Sequence, residues 1–370
     1  MNSNKKKHTS PKAVLFKSRE RFPAFKDKLS EYGVKTTILD FETHEWIEFD
    51  YSKIDFIIYY PSFKYSSNHP LALHDVYDNI MFIQSEYPHL KFYPDPNIIK
   101  YYNDKYRQFL FLKKHNYPIP ETIPLLSEAS LDVAEKRLEY PMVIKNRYGA
   151  GGGSVFKVFN RKELETYYKL GTLNLFNTGS AEYFFKMLSK KIFYYHLIKE
   201  KKSPYPFLSP PVLAQKFVKI DRDLKTVTGN NKVVEGHWRL QADQNMWKMN
   251  IDGGGTGVWS AIPQEARELS IRLANDLQAS WLNIDLILSN DKFLITEFSP
   301  VWHHYAYKEK ESFVYEDDYN LGPLEVSLDL ERIIVESLLG NGEMLKVNGE
   351  RLKVNGERLK GNGERGRTTS

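Results

Sequence analysis

Two acidic residues near the end of the folded part constrain this chain more than any other feature. Asp285 lies in Asn-Ile-Asp-Leu-Ile-Leu, and Glu297 lies in Lys-Phe-Leu-Ile-Thr-Glu-Phe-Ser-Pro. Both segments alternate or run apolar in the manner of strands. Asn290-Asp291 between them is a turn signal, so the pair reads as a β-hairpin. Each acid falls where a buried face is expected. A carboxylate buried beside another is unfavourable unless something neutralises both. A divalent cation does so: Mg2+ is held by one or two carboxylates and completed by nucleotide phosphates. The competing reading is a hairpin whose acids point into water.

Residues 140–158 supply a second element. Met142 to Lys145 is a short apolar strand ending in a lysine, Gly149 to Gly153 is a flexible turn, and Ser154 to Val158 alternates like a second strand. A strand–glycine loop–strand hairpin closes over phosphates because glycines let backbone N–H groups approach an anion. Lys145 at its base supplies a fixed positive charge. No Gly-Lys-Ser/Thr follows the glycines and no helix pattern opens behind them, which excludes a Walker loop and a Rossmann fingerprint. Taken alone, the segment reads equally as an ordinary hairpin tip.

Together and in this order, these elements resemble the ATP-grasp superfamily, in particular its carboxylate–amine ligases, such as protein–glutamate ligases, glutathione synthetase and D-alanine–D-alanine ligase. The resemblance covers roughly residues 13 to 310. It implies an α/β fold: an ATP-grasp core of two α+β lobes, preceded by a small open α/β domain. Asn103-Asp104-Lys105-Tyr106, followed by a helix and Asn116-Tyr117-Pro118-Ile119-Pro120, resembles the entry motif in which a lysine, here Lys105, meets the nucleotide phosphates. Lys145 matches the second nucleotide-binding lysine, and Gly149, Gly151, Gly152 and Gly153 match the phosphate-covering loop. Gln215, Lys216, Phe217 and Val218 match the hinge strand that meets adenine. Asp221 or Asp223 then reaches the ribose or orders the hinge. Arg239 and Asn250 match residues facing the transferring phosphate and the acyl group. Asp285 and Glu297 match the two acidic metal ligands, 12 residues apart. The implied cofactors are ATP and Mg2+, with Mn2+ as an alternative.

Two departures stand out. The family carries asparagine two residues after the second acid as a third metal ligand, and this chain has Ser299, a weaker oxygen donor. The protein–glutamate ligases carry Asp-Leu-Arg after the hinge. Here Asp223-Leu224-Lys225 keeps the charge and loses the bidentate fork.

Composition agrees with this picture. A chain of 370 residues suffices for two or three domains. Cysteine is absent, which excludes a disulfide framework and thiol chemistry and fits a reducing, cytoplasmic setting. No apolar run approaches a membrane span, and Met1 to Lys12 is polar and lysine-rich, unlike a signal peptide. The net charge of +5, with 24 Tyr and 22 Phe, raises a nucleic-acid reading. Its basic residues are interleaved with acids and form no stripe, so no nucleic-acid or membrane partner is expected.

The punctuation divides the chain into a disordered N-terminus (1–12), an α/β domain (13–100), a glycine-loop lobe (101–210), a hinge and metal lobe (211–339) and a tail (340–370). In the first domain, Ala13 to Phe16, Thr36 to Leu39 and Phe56 to Tyr60 read as strands, and Arg19 to Tyr32 as a helix ending at Gly33. Tyr59, Tyr60 and Pro61 sit at a strand end, where they line an acceptor site or simply pack. Tyr183 to Tyr205 reads as a helical stretch with a basic face, and Pro263 to Ser280 as a helix. In the tail Asn-Gly-Glu recurs at 341, 348, 355 and 362. Glycine in every heptad and the lack of paired apolar positions exclude a coiled coil, leaving low-complexity disorder.

Trp302, His303, His304 and Tyr305 follow the second acid. Adjacent residues of an extended segment point to opposite sides, and no further soft ligand is evident, which disfavours zinc. His303 or His304 is the candidate to line the acceptor pocket and deprotonate an incoming amine. The expected partners are a small-molecule or peptide carboxylate and an amine acceptor, and a homodimer is the expected assembly. The favoured function is an ATP-dependent ligase forming a C–N bond through an acyl phosphate. A kinase-type or non-amine ATP-grasp enzyme and a non-catalytic nucleotide-binding protein stand as alternatives.

Overall fold

The computed structural model describes residues 10–18, 22–60, 73–147, 155–172, 212–220, 222–229, 232–241, 247, 256–258, 262–300, 312–314, 324–326 and 330–340. The expected glycine loop (Gly149, Gly151, Gly152, Gly153), Asp221, Asn250, the cluster at 302–305, the stretch 183–205 and nearly all of both termini lie outside the described residues.

The first layer is a parallel sheet of β1 (Lys12–Phe16), β2 (Lys35–Leu39), β3 (Phe56–Ile58) and β4 (Lys91–Tyr93), in the order β2-β1-β3-β4. Helices α1 (Phe22–Glu31), α2 (Glu45–Glu48) and α3 (Leu73–Glu86) connect its strands. Their lengths fit the crossovers that parallel pairing demands. α1 ends before Gly33, whose φ of +64° is the left-handed value that terminates a helix. Tyr59 and Tyr60, expected either to line an acceptor site or to pack, pack: they lie in the core with Phe16, Trp46 and Ile80.

Helices α4 (Pro96–Ile99) and α5 (Lys105–Lys114) lead into a second sheet. It comprises β5 (Thr122–Leu125), β6 (Met142–Lys145), β7 (Val155–Val158) and β8 (Val212–Lys216), antiparallel in the order β5-β8-β6-β7. It is backed by α6 (Ala129–Leu138) and α7 (Arg161–Thr172), and among the described residues its core draws on those between Ile123 and Ala214.

The third sheet runs β11-β10-β9-β12-β13, from β9 (Arg222–Gly229), β10 (Lys232–Leu240), β11 (Thr256–Val258), β12 (Trp281–Ser289) and β13 (Lys292–Ser299), all antiparallel. Helix α8 (Gln264–Asp276) covers one face through Ala266, Leu269 and Leu273, which meet Leu224, Trp238, Ile284, Leu286 and Phe298. The β12–β13 turn is the expected Asn290-Asp291, with φ of +49° and +58°. Two left-handed residues in a two-residue loop match the right-handed twist of a hairpin.

A small pair, β14 (Ser312–Val314) and β15 (Leu324–Val326), precedes α9 (Leu330–Leu339). Although it follows the third sheet in sequence, α9 returns to the first. Ile334, Val335 and Leu338 pack with Ala13, Leu15, Phe25 and Leu29, and with Val227 and Trp281 of the third sheet. Glu336 accepts a hydrogen bond from the Tyr32 hydroxyl, and Lys91 Nζ donates to the Leu338 carbonyl at 3.1 Å.

Candidate active site

Alternation gives the third sheet one apolar face against α8 and one polar face. Strand registers line the polar face up in rows. His237, Lys225, Asp285 and Glu297 form one row across β10, β9, β12 and β13. Arg239 and Asp223 form the next. On β12 the side of this face towards the hairpin base carries Asn283 opposite Ser299. Beyond it Val227 and Trp281 run under the first domain.

Glu297 reaches this face because of a bulge. Phe293 and Ile295 are buried against α8, so strict alternation would bury Glu297 and expose Phe298. Instead the register shifts: Asp285 opposes Glu297 while Leu286 opposes Ile295, leaving Thr296 as the extra residue. The Thr296 hydroxyl donates to the Asp285 carbonyl at 3.1 Å. The two acids, expected on a buried face, therefore share the polar face, where Asp285 is 23% and Glu297 33% exposed.

Cations surround them. Arg239 donates to both oxygens of Asp223, at 2.6 and 2.7 Å, and to Asp285 Oδ2 at 3.0 Å. Lys225 Nζ stands 3.6 Å from Asp285 Oδ1, and Lys105 Nζ 3.7 Å from Glu297 Oε1. Burial raises the Asp285 carboxyl, but Arg239 and Lys225 outweigh it and bring it down to about 2. Burial pushes Asp223 up to about 6 against the pull of Arg239. Burial, with Arg239 and Lys225 nearby, brings His237 down to about 3, so its imidazole is neutral at physiological pH. Lys145, at the end of β6, is pulled down to about 8 by burial and secondarily by Lys105. Glu297 and Asp285 act in the opposite direction.

Lys105 is positioned by the residue before it. Asp104 is the N-cap of α5 and accepts from the Arg107 N–H at 3.0 Å. Its carboxylate also takes a bidentate pair from Arg147, with Nε at 2.9 Å and Nη2 at 2.7 Å, and the Lys105 N–H donates to the Arg147 carbonyl at 2.9 Å. The first residue of α5 is thus fastened to the base of the β6–β7 hairpin. One helical turn onward, Gln108 reaches β13: its Nε2 donates to the Phe298 carbonyl at 2.7 Å and its Oε1 accepts from the Phe298 N–H at 3.2 Å.

The expected hinge lies at the far end of the second sheet. Lys145 opposes Leu213 whereas Lys216 opposes Met142, so the two ends stand three ladder steps apart. Gln215 Nε2 donates to Thr122 Oγ1 at 2.9 Å. Lys157 Nζ lies 3.6 Å from the Phe217 ring centroid, and Gln241 Nε2 donates to the Ile220 carbonyl just beyond Val218. The structure thus brings Lys105, Lys145, Asp223, Arg239, Asp285 and Glu297 into one cluster and sets Gln215 to Val218 apart from it. Asp104, Arg147, Gln108 and His237 were not anticipated. Asp104 alone carried a local signal, an N-cap type before a helix.

This arrangement has known relatives. Residues 102–174 match an ATP-grasp domain, and residues 196–302 match a RimK-like ATP-grasp domain. Both segments are ATP-grasp domain sequence. Beta-citrylglutamate synthase B of Homo sapiens is 27% identical over 194 residues, 51% of this chain and 41% of that protein. Tetrahydromethanopterin:alpha-L-glutamate ligase of Methanocaldococcus jannaschii is 25% identical over 209 residues, 56% of this chain and 62% of that protein. This chain thus spans less than two thirds of the curated relatives it matches. Among solved structures, N5-carboxyaminoimidazole ribonucleotide synthetase from Thermotoga maritima aligns over 90% of this chain and 76% of its own, with a TM-score of 0.52 and 14% identity, a likeness of fold.

The donor set suits the magnesium expected of an ATP-grasp site. It is all oxygen: two opposed carboxylates, with the Ser299 hydroxyl and the Asn283 amide at the neighbouring pair of positions. Among the described residues, no group of three or more His, Cys, Asp or Glu is gathered to hold a metal. Among the described residues, no helix is long and apolar enough to cross a membrane.

Proposed function

We propose that this chain is an ATP-dependent carboxylate–amine ligase that works through an acyl phosphate. The observation that carries the reading is the single polar sheet face on which Asp285 and Glu297 stand opposed, ringed by Arg239, Lys225 and Lys105. Among the described residues of the cluster, four cations, Lys105, Lys145, Lys225 and Arg239, stand with three carboxylates, Asp223, Asp285 and Glu297, a balance that favours phosphates.

In this reading the hinge at Gln215 to Val218 and Lys145 would bind ATP, and Asp285, Glu297 and Ser299 would hold Mg2+, which would offset the charge of the phosphate oxygens. An oxygen of the substrate carboxylate attacks the γ-phosphorus, the bond to the β–γ bridging oxygen breaks, and ADP leaves. Lys145, Lys105 and Arg239 stabilise the charge spread over the transferring group, which is positioning and electrostatics without covalent participation by the protein. Asp223 holds the guanidinium of Arg239 in a fixed plane. An amine nitrogen then attacks the acyl carbon, phosphate departs, and the amine proton passes to a base. The glycine loop, Asn250 and one of His303 and His304 complete the site in this proposal. The named relatives join glutamate to a second molecule, so a carboxylate and an amino acid amine are the substrates to screen first.

The test is melting temperature with and without MgATP, followed by ADP release against panels of acids and amines. Wild type should be stabilised in a metal-dependent manner, and Glu297→Gln and Lys145→Ala should lose most of that stabilisation while remaining folded. ADP release that requires both an acid and an amine, with an amide as product, supports the ligase. Failure of any nucleotide to stabilise wild type would return the acid pair to an ordinary hairpin.

A further inference from the structure

We infer that Gln108 is a positioning residue that sets the separation between Lys105 and the metal-binding strand, an inference that rests on the nucleotide-binding reading above. Gln108 is 2% exposed and sits one helical turn beyond Lys105 on α5. Its side-chain amide makes three hydrogen bonds. Nε2 donates to the Tyr101 carbonyl at 2.8 Å and to the Phe298 carbonyl at 2.7 Å, and Oε1 accepts from the Phe298 N–H at 3.2 Å. Among the described residues, β13 is the last strand of its sheet and no strand lies along its outer edge. At Phe298 the Gln108 amide takes the place of that neighbour, satisfying both the N–H and the C=O of one residue as a paired strand does.

The position of this contact gives it a consequence for the site. Phe298 lies between Glu297 and Ser299, and its ring is buried against Tyr101 and Phe111. Fixing its peptide fixes the direction in which the side chains on either side leave the strand. The same helix presents Lys105 to Glu297 at 3.7 Å. Residues 105 and 108 share a helix face, so α5 carries a cation towards the carboxylate and a clamp onto the strand that bears it. A clamp on the backbone of a metal-binding segment tunes the metal as partners of ligating groups do, commonly by about ten- to a hundredfold in affinity when removed. The buried polar side chains of the helix and its cap are Asp104, bound to Arg147, Lys105, which faces Glu297, and Gln108.

The test is Mn2+ binding followed by electron paramagnetic resonance at a saturating concentration of a non-hydrolysable ATP analogue, with nucleotide affinity measured separately without metal. Gln108→Met keeps the length and removes the hydrogen bonds; Gln108→Asn keeps the amide and is too short to reach Phe298. Both should weaken Mn2+ binding about tenfold, with a smaller change in metal-free nucleotide affinity. Leu112→Ala, a cavity in the core beneath the same helix, should lower the melting temperature without moving Mn2+ affinity. Unchanged Mn2+ affinity in either Gln108 variant overturns the inference. So does an equal loss in Leu112→Ala, which would reduce Gln108 to a packing role. Wild type that takes up neither analogue nor Mn2+ refutes the nucleotide site itself, and the role of Gln108 in it with it.

Discussion

Asp285 and Glu297 stand directly opposite each other on β12 and β13. They share a face because Thr296 is bulged out of the ladder between them. The cations around Asp285 hold it ionised far into acid. Its folded-state value of about 2 lies below the ordinary carboxylate value, so the stability it contributes is present above about pH 4 and is lost as pH falls towards 2. Asp285→Asn should therefore cost about 2 kcal/mol at pH 7, with the gap to wild type closing between pH 4 and 2. Urea denaturation at a series of pH values measures it, and a gap that stays constant down to pH 2 contradicts the ion pairs with Arg239 and Lys225.

Lys145 should make nucleotide affinity depend on pH. Its ammonium loses its proton above about 8, with Glu297 and Asp285 favouring the charge and Lys105 opposing it. Phosphate binding favours the charged form. Binding above pH 8 must then take up a proton, and affinity should fall as pH rises, by up to about tenfold per unit. Calorimetry in two buffers of different ionisation enthalpy detects the proton. Lys145→Arg, charged throughout, should bind without uptake.

Asp104 and Arg147 join the start of α5 to the base of the glycine hairpin. Asp104→Ala removes an N-cap and leaves Arg147 without its bidentate partner, and should cost about 2–4 kcal/mol in chemical denaturation. Asp104→Asn retains the cap and should lose less. Equal losses in the two variants would show that the pair with Arg147, and not the cap, carries the stability.

Gly229 faces the indole of Trp281, the registered partner across β9 and β12. A Cβ there would lie 1.9 Å from Trp281 Cζ3. Gly229→Ala should destabilise by about 1–3 kcal/mol through overpacking. Since Trp281 lies on the first domain's side of the face, its melting temperature should fall while metal-dependent nucleotide binding is retained.

The hairpin of the third sheet was legible because its signals are local: alternating strands, a two-residue turn and acids at a fixed spacing. The parity of Glu297 was not. Counting in twos from Phe293 and Ile295 puts it in the core, and only the pairing with β12 reveals the extra residue at Thr296. Lys105 and Lys145 were found through their motifs. Gln108, which locks onto Phe298 at a sequence distance of 190 residues, leaves no periodic trace, because a side chain bound to backbone imposes nothing on the partner's identity. Arg147 was hidden in the same way, and its partner Asp104 was read only as part of a motif. The return of α9 to the first sheet was equally unreadable: its apolar stripe says that a face is buried, not against what.

The distribution of the cores decides which part of the molecule can act as a jaw. The first domain and the third sheet are welded by one cluster, in which Ala13, Leu15, Val227 and Trp281 meet under α9. The second sheet keeps its core to itself. In the proposed reading, closure over ATP falls to the second sheet, which Asp104 and Arg147 join to the start of α5. The third sheet carries Asp285 and Glu297, the acids proposed to hold the metal. Lys145 stands on the second sheet while Asp285, Glu297 and Arg239 stand on the third, so both bodies contribute side chains to the one cluster.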